Sequence, residues 1–301
     1  MTYLHPLAYL LGVEGVALLR SFGGEFDRDF VHARLAEIRR LVNDETLVAA
    51  GIPIGTVDTV DGYQVWAKTY DEPGNGAFPV EEPYVRRIVD SLPQGCFVDA
   101  ACGTGRHTEY LAAQGHRVIG VDSSPDMLAH ARAKVPSAEF RFGQLDKLPL
   151  ADNEADAIVC ALALTHVADL RPVMAEFARA LRPGGHLIIS DMHESIVLRG
   201  SIPKVELPDG TRARIATHRH LTGDYLRAAL PVGLQVRSCE EPRPGLDSTM
   251  PPATPLGPDL TPGEWQDWPW NLSGFIPQAS WAANADRPAT VIWHFQLSTN
   301  D

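Results

Sequence analysis

The sequence predicts an α/β fold: an open, doubly wound, mostly parallel sheet, with a helical segment before it and an irregular insertion late in the chain. Three observations predict it. Short apolar runs alternate with helix-period segments from Cys96 onward. A glycine-rich turn, Asp99-Ala100-Ala101-Cys102-Gly103-Thr104-Gly105-Arg106, joins the first run to the next helix. The following run closes on an acid, Asp122. Strand and helix in alternation make a parallel sheet covered on both faces, and right-handed crossovers leave it open.

Taken in order, residues 1–60 read as a helical extension. Residues 28–43 form an amphipathic helix, with Phe30, Val31, Leu35, Ile38, Leu41 and Val42 at helical spacing. Arg34, Glu37, Arg39 and Arg40 are expected to face away from that side. The apolar stretch Leu7–Leu19 is interrupted by Glu14 and lacks a basic flank, so it is a poor signal peptide and too short to span a bilayer. Asp71–Gly76 is a loop signal.

Strands are expected at "CFVDAA", "HRVIGVD", "AEFRFGQL", "ADAIVCALAL" and "HLIISD". The helix "HTEYLAAQ" stops at Gly115, and Ser124 caps a helix whose first residue is Pro125. Asp169–Leu181 is helical and is broken by Pro183-Gly184-Gly185. "GDYLRAALPVGLQVRSCEEP" reads as a helix, a turn at Gly233 and a strand, and "PATVIWHFQLS" as the final strand. Residues 241–287, rich in Pro, Gly and Trp, show no period and stand as the irregular insertion.

Composition narrows the function classes. The 301 residues are 45% hydrophobic and carry a net charge of −12. Nucleic acid repels such a chain unless basic residues cluster, and the nearest candidate, Thr211–His220, reads as a solvated edge. Cys96, Cys102, Cys160 and Cys239 are scattered without a C-x-x-C pair, so no zinc framework or other metal site is expected. They read as reduced thiols of a cytoplasmic protein.

A strand, a glycine turn and a helix N-terminus make a pocket for an anion or dipole, and Asp122 can accept both hydroxyls of an adenosine ribose. Those features alone fit NAD or S-adenosylmethionine (SAM). Asp99 shifts the balance. A carboxylate inside the first turn repels a pyrophosphate and suits the positive methionine end of SAM. The third glycine of a dinucleotide loop is also missing, since Thr108 stands in its place.

The chain resembles the class I SAM-dependent methyltransferases of small-molecule type. "VDAACGTGRHTEYLAAQGHRVIGVDSSPDML" is similar to their first motif and acidic strand. "FRFGQLDKLPLADNEADAIVCALALTHVADL" and "EFARALRPGGHLIISD" are similar to the later motifs, in order, over about residues 85–195. "DYLRAALPVGLQVRSCEEP" and "VIWHFQL" extend the likeness, and "YQVWAKTYDEPGNG" resembles a tyrosine-bearing segment before the first motif.

The resemblance implies a Rossmann-like domain over residues 61–301, with seven strands and an antiparallel last strand. Residues 1–60 are then a substrate-side cap. It also implies the cofactor SAM and the product S-adenosylhomocysteine. Asp99 and the backbone of Ala101, Cys102, Gly103 and Gly105 would hold the methionine end. Asp122 would bind the ribose, Ser123 and Met127 would flank ribose and adenine, and Gln144 and Leu145 would meet the adenine edge. Ala161 would lie under the methionine portion, with Tyr63 and Tyr70 closing over it. Gln144 departs from the family, which usually has an Asp there; its amide can accept a hydrogen bond without charge assistance. Asp122 could instead be a cap, Met127 core, Gln144 a solvated loop residue, and Cys102 a small buried filler.

Methyl transfer needs alignment, and for a hydroxyl nucleophile a base. His166 follows the fourth strand, and His193 and Glu194 follow "HLIISD", so all three are candidates for substrate contact or base, though each could be structural. His218 and His220 are weaker candidates for a far wall. Trp265, Trp268, Trp270 and Trp281 either cover the sheet or form a lid over an apolar or aromatic small molecule. The expected enzyme methylates O, N or C of such a substrate, with no nucleic-acid or membrane partner, as a monomer or homodimer. A SAM-binding enzyme of non-methyl chemistry, such as cyclisation, and a non-catalytic SAM-binding interaction protein are the alternatives.

Overall fold

The computed structural model describes residues 2–67, 70, 76–243, 249–252, 257 and 260–299. Most of the expected loop Asp71–Gly76, and parts of the 241–287 insertion, lie outside the described residues. In chain order the elements are β1 (Thr2–Leu4), α1 (Pro6–Phe22), α2 (Arg28–Val42), α3 (Glu45–Ala49), β2 (Ile52–Val57), α4 (Thr59–Trp66), α5 (Phe78–Asp90) and β3 (Cys96–Ala100). Next come α6 (Arg106–Ala113), β4 (Arg117–Asp122), α7 (Pro125–Lys134), β5 (Glu139–Phe142), β6 (Ala155–Ala161), α8 (Leu170–Ala180) and β7 (Leu181–Met192). The chain ends with α9 (Glu194–Leu198), β8 (Lys204–Glu206), β9 (Arg212–Ile215), α10 (Thr222–Ala229), β10 (Leu234–Glu240), α11 (Pro277–Asn284) and β11 (Thr290–Leu297). Two compact units divide them: residues 1–56, 198–214 and 243–287, and residues 57–197, 215–242 and 288–301.

The larger unit holds the expected sheet, in the order β10-β11-β7-β6-β3-β4-β5. Its ladders are parallel except those of β11, which runs antiparallel to both β7 and β10. Successive strand residues point to opposite faces, and both faces are covered. Val98, Ala100, Ile119, Val121, Ile158 and Leu187 face α8 and α10. Phe97, Val118, Ala157, Val159 and Ile188 face α5 and α6. That double burial is why these strands read as unbroken apolar runs. The edge strand β5 is largely uncovered and carries Glu139 and Arg141, paired at 2.8 Å.

Local signals behave as their chemistry dictates. Ser124 Oγ accepts from the Met127 N–H at 3.3 Å, capping α7. Gly115 follows α6 at φ +85° and Gly233 turns into β10 at φ +83°, conformations that disfavour a Cβ. One expectation is corrected. Pro183-Gly184-Gly185 does not precede the strand but lies inside β7, which starts at Leu181. Two steps along β6, from Ala155 to Ala157, face five along β7, from Leu181 to His186, so the glycines are taken up in a bulge.

The smaller unit corrects the helical reading of residues 1–60. It contains α1–α3, but β1 and β2 pair as well, and with β9 and β8 they form a four-stranded sheet in the order β1-β2-β9-β8. Its core joins Leu10, Leu41 and Ile54 to Leu260, Trp265, Trp268, Leu272 and Ile276. Trp281 packs against that core, whereas Trp270 is 66% exposed. The insertion is therefore partly regular, with α11 begun by Pro277 at its first turn. Among the described residues no helix is long and apolar enough to cross a membrane.

Arg34 also departs from expectation. It is buried with Glu14, whose carboxylate lies 3.7 Å from it, and pairs with Glu37 at 3.0 Å. Desolvation by burial, reinforced by the neighbouring Glu37 carboxylate, holds the Glu14 carboxyl well above the usual carboxylate range. Folded Glu14 thus keeps a proton that the unfolded chain releases above pH 4.5, so this group costs stability as pH rises. Glu14→Gln should flatten the loss of stability between about pH 5 and about pH 8, read from denaturation midpoints. Equal losses in both proteins would refute the assignment.

Candidate functional site

The carboxyl ends of β3, β4 and β6 open onto a pocket of about 480 Å³ in the larger unit. Its lining includes Tyr63, Tyr70, Ala101, Gly103, Asp122, Ser123, Met127, Gln144, Leu145, Ala161 and His166. Those residues come from segments far apart in sequence, and the sheet order brings them together.

The glycine turn is built as its residues require. Ala101, Gly103 and Gly105 have φ of +59°, +53° and +89°. A Cβ added at Gly103 meets nothing within 4 Å, so this residue leaves an open cradle toward the pocket. Gly105 serves packing: a Cβ there would lie 3.2 Å from the Ala131 Cβ, a tight contact that glycine avoids. Gly105 is the N-cap of α6 and does not line the pocket.

Asp122 closes β4 and joins two loops. Oδ2 accepts from the Gly103 N–H at 2.8 Å, and Oδ1 from the Ser124 N–H at 2.8 Å. Burial raises its pKa, and these backbone bonds oppose the shift. Each oxygen retains acceptor capacity: a carboxylate has about four acceptor sites and these two bonds use two.

Asp99 is 2% exposed and does not line the pocket. Its Oδ2 accepts from the Thr108 hydroxyl at 2.6 Å, which clasps β3 to α6. Burial raises its pKa, against the nearby His107 and the Thr108 bond. Cys102 is likewise outside the lining, and burial pushes its thiol up, so it is no ready nucleophile. Met127 is buried and lines the pocket beside Val121. Gln144 lines it too, and so does Asp146 two residues on, a carboxylate on the loop where Gln144 has none.

His166 sits in a short 3-10 turn, Leu164–His166, after β6. Its Nδ1 lies 2.7 Å from the Ala216 carbonyl, which can only accept, so Nδ1 carries the proton. Nε2 then accepts from the Tyr63 hydroxyl at 3.0 Å. The rings meet edge to face, 5.4 Å apart, and Tyr70 stands 5.8 Å from Tyr63. Burial lowers the His166 pKa and raises that of Tyr63 well above its ordinary value, so both are neutral at neutral pH.

His193 and Glu194 do not line this pocket. The His193 N–H is bound to the Ala289 carbonyl at 3.0 Å, and its ring lies 2.8 Å from Ser195 Oγ and 3.3 Å from Glu241. Glu194 begins α9 and lies 3.9 Å from Arg219. His218 and His220 brace the His166 turn instead of lining a wall: the His218 N–H donates to the Thr165 carbonyl at 2.7 Å, and His220 Nε2 donates to Val167 at 2.8 Å. Sequence reasoning missed Thr59, Val60, Leu162, Val167–Asp169, Pro172 and Val173, which also line the pocket. Leu162, at φ +55° just past β6, turns that segment, but a leucine carries no sequence signal for it.

Comparison with known proteins agrees with this geometry. Residues 98–189 match a family described as a methyltransferase domain. An uncharacterized methyltransferase of Emericella nidulans is 26% identical over 227 residues, covering 62% of this chain and 79% of that protein. A demethylmenaquinone methyltransferase of Chlorobaculum parvum is 38% identical over 101 residues, 33% of this chain; the chain spans only 42% of that protein's length. The fold is shared with an S-adenosylmethionine-dependent methyltransferase from Mesorhizobium loti, at a TM-score of 0.50 and 23% identity, covering 72% of this chain and 97% of that one. Residues 98–189 are thus similar to a methyltransferase domain, and the fold is the one seen in a SAM-dependent methyltransferase of known structure.

Proposed function

We propose that this pocket holds SAM and that the chain methylates a small molecule at a nucleophile bearing a proton, with Tyr63 and His166 taking that proton. One observation carries the reading: the Tyr63–His166 hydrogen bond, its tautomer fixed by Ala216, stands in the same pocket as Asp122. The residues fit the cofactor. Gly103 leaves an open cradle, Asp122 has acceptor capacity left for two ribose hydroxyls, and Val121, Met127 and Leu145 offer apolar surface to an adenine. Gln144 and Asp146 would face its polar edge, with Ser123 beside the ribose and Ala161 and Tyr70 along the methionine portion. When bound, SAM supplies an activated methyl on a sulfonium, so what the protein adds is alignment, exclusion of water and removal of a proton.

The Tyr63 oxygen, its hydrogen held in the bond to His166 Nε2, keeps lone pairs with which to accept from a substrate. A substrate hydroxyl donating to that oxygen can lose its proton as the Tyr63 proton moves to His166 Nε2. The relay leaves Tyr63 neutral throughout, which its burial requires. The kinship with an enzyme named for demethylmenaquinone supports a small-molecule substrate.

Transfer from labelled SAM to a panel of phenols, enols, amines and acids tests the activity. Relative to wild type, His166→Gln and Tyr63→Phe should each lower kcat about a hundredfold or more, with SAM affinity changed less than about threefold. Wild-type kcat in both would overturn the relay. The sign of the pH effect follows from His166. Imidazolium has no lone pair at Nε2, and burial holds the folded pKa below 6.5, so activity should persist to lower pH than an exposed histidine allows. An acid limb above 6.5 would contradict it. Asp122→Ala should weaken SAM binding by about tenfold or more in calorimetry, because it removes the ribose acceptor and frees two loops.

A further inference from the structure

The Tyr63–His166 hydrogen bond joins residues 103 positions apart in sequence, so two separate carriers must be held against each other. Tyr63 rides on α4, a helix of 8 residues, and His166 ends the 3-10 turn after β6. The segment Ile215–His220 touches both carriers, and all three lie in the larger unit. On the His166 side its contacts are polar. The Ala216 carbonyl accepts from His166 Nδ1 at 2.7 Å, and the His218 N–H donates to the Thr165 carbonyl at 2.7 Å. His220 Nε2 reaches the carbonyls of Leu164 and Val167 at 3.1 and 2.8 Å.

On the Tyr63 side the same segment makes one polar contact and one packing contact. The Ala216 N–H donates to the Val57 carbonyl at 3.0 Å, two residues before α4 begins. Ala216 therefore holds His166 by its carbonyl and the lead-in to α4 by its N–H. The packing contact sets Ile215 against Gly62, the residue before Tyr63. A Cβ built on Gly62 would overlap Ile215 Cγ1 and lie 2.6 Å from Cδ1, closer than real Cβ atoms come. Ile215 is fully buried and branched at Cβ, which leaves its χ1 little freedom to turn aside.

The backbone gives no reason for glycine at this position. Gly62 is not in the left-handed region, and its N–H bonds the Asp58 carbonyl at 3.1 Å as a helix residue does. Glycine inside a helix is less favourable than alanine, because it gives up more freedom on folding. What it offers here is close approach to Ile215. Neighbouring residues of a helix move together, so a helix pushed off Ile215 carries Tyr63 with it. We infer that Gly62 is a positioning residue for the Tyr63–His166 pair: lacking a Cβ, it lets α4 seat on Ile215, at the start of the segment that holds the His166 turn. This inference rests on the reading of that pair as the proton acceptor, and its test separates the two.

The test uses the full chain with nitrogen-labelled histidine, the His166 imidazole signals among the eleven histidines being assigned by their loss in His166→Gln. Tyr63→Phe supplies the reference for an Nε2 that has lost its hydroxyl partner. Gly62→Ala should move the Nε2 signal toward that reference. With whichever acceptor of the phenol, enol, amine and acid panel the wild type methylates, kcat should fall about tenfold or more, while the Kd for S-adenosylhomocysteine stays within about threefold. The double variant Gly62→Ala/Ile215→Ala removes the overlapping atoms and leaves the two Cβ atoms 3.5 Å apart, an ordinary contact. It should bring signal and kcat back toward wild type, which a general loss of stability would not do. Ile215→Ala, which removes the seat, should move the signal the same way as Gly62→Ala and carries the test if Gly62→Ala does not fold. A wild-type Nε2 signal in folded Gly62→Ala, or in Ile215→Ala if that alone folds, overturns the inference, as does a double variant whose signal stays at the Tyr63→Phe reference. A signal that moves in Gly62→Ala and returns in the double variant, together with wild-type kcat in His166→Gln, supports the positioning and sinks the proton-acceptor reading instead.

Discussion

The architecture of the pocket hangs on the carboxylate of Asp122. It ends β4, and its two oxygens take backbone N–H groups from different loops, Gly103 after β3 and Ser124 before α7. Parallel strands place those loops side by side at their carboxyl ends, where the Cys102 N–H also bonds the Val121 carbonyl at 3.0 Å. The carboxylate ties the two loops to each other. It pays desolvation, visible in its raised pKa, and in return two part-buried donors are satisfied beside the open cradle at Gly103.

A second clasp explains the missing glycine. Where a dinucleotide loop has its third glycine this chain has Thr108, fully buried on α6, with its hydroxyl bound to Asp99. The close helix–strand approach that a glycine allows is replaced by a hydrogen bond across the same gap. Asp99, read from sequence as a carboxylate for a positive ligand group, is thus engaged within the protein, and only its backbone neighbours Ala101 and Gly103 reach the lining.

Legibility followed the range of the interaction. Caps, glycine turns and doubly buried strands are local, so Ser124, Gly115 and β3 could be read directly, and Asp122 from its place at a strand end. The smaller unit could not be read that way. Its sheet pairs strands of 3 to 6 residues drawn from residues 2–57 and 204–215, too short for a period to show. Arg34 looked like a solvent-facing charge on α2 because its partner, Glu14, belongs to another helix. At the site, the strand-end rule raised His166 and His193 alike. Only the fold separates them, by setting His166 against Tyr63, 103 residues earlier, and turning His193 toward Ser195 and Glu241.

As proposed, the pocket takes an adenosyl group with a methionine end in preference to a dinucleotide. Calorimetric titration of the purified chain with S-adenosylhomocysteine and with NAD tests it most directly. The account predicts one S-adenosylhomocysteine site per chain with a Kd of about 10 μM or tighter, a free energy near −7 kcal/mol, and no measurable heat with NAD. NAD binding as tightly as S-adenosylhomocysteine, or more so, would contradict it.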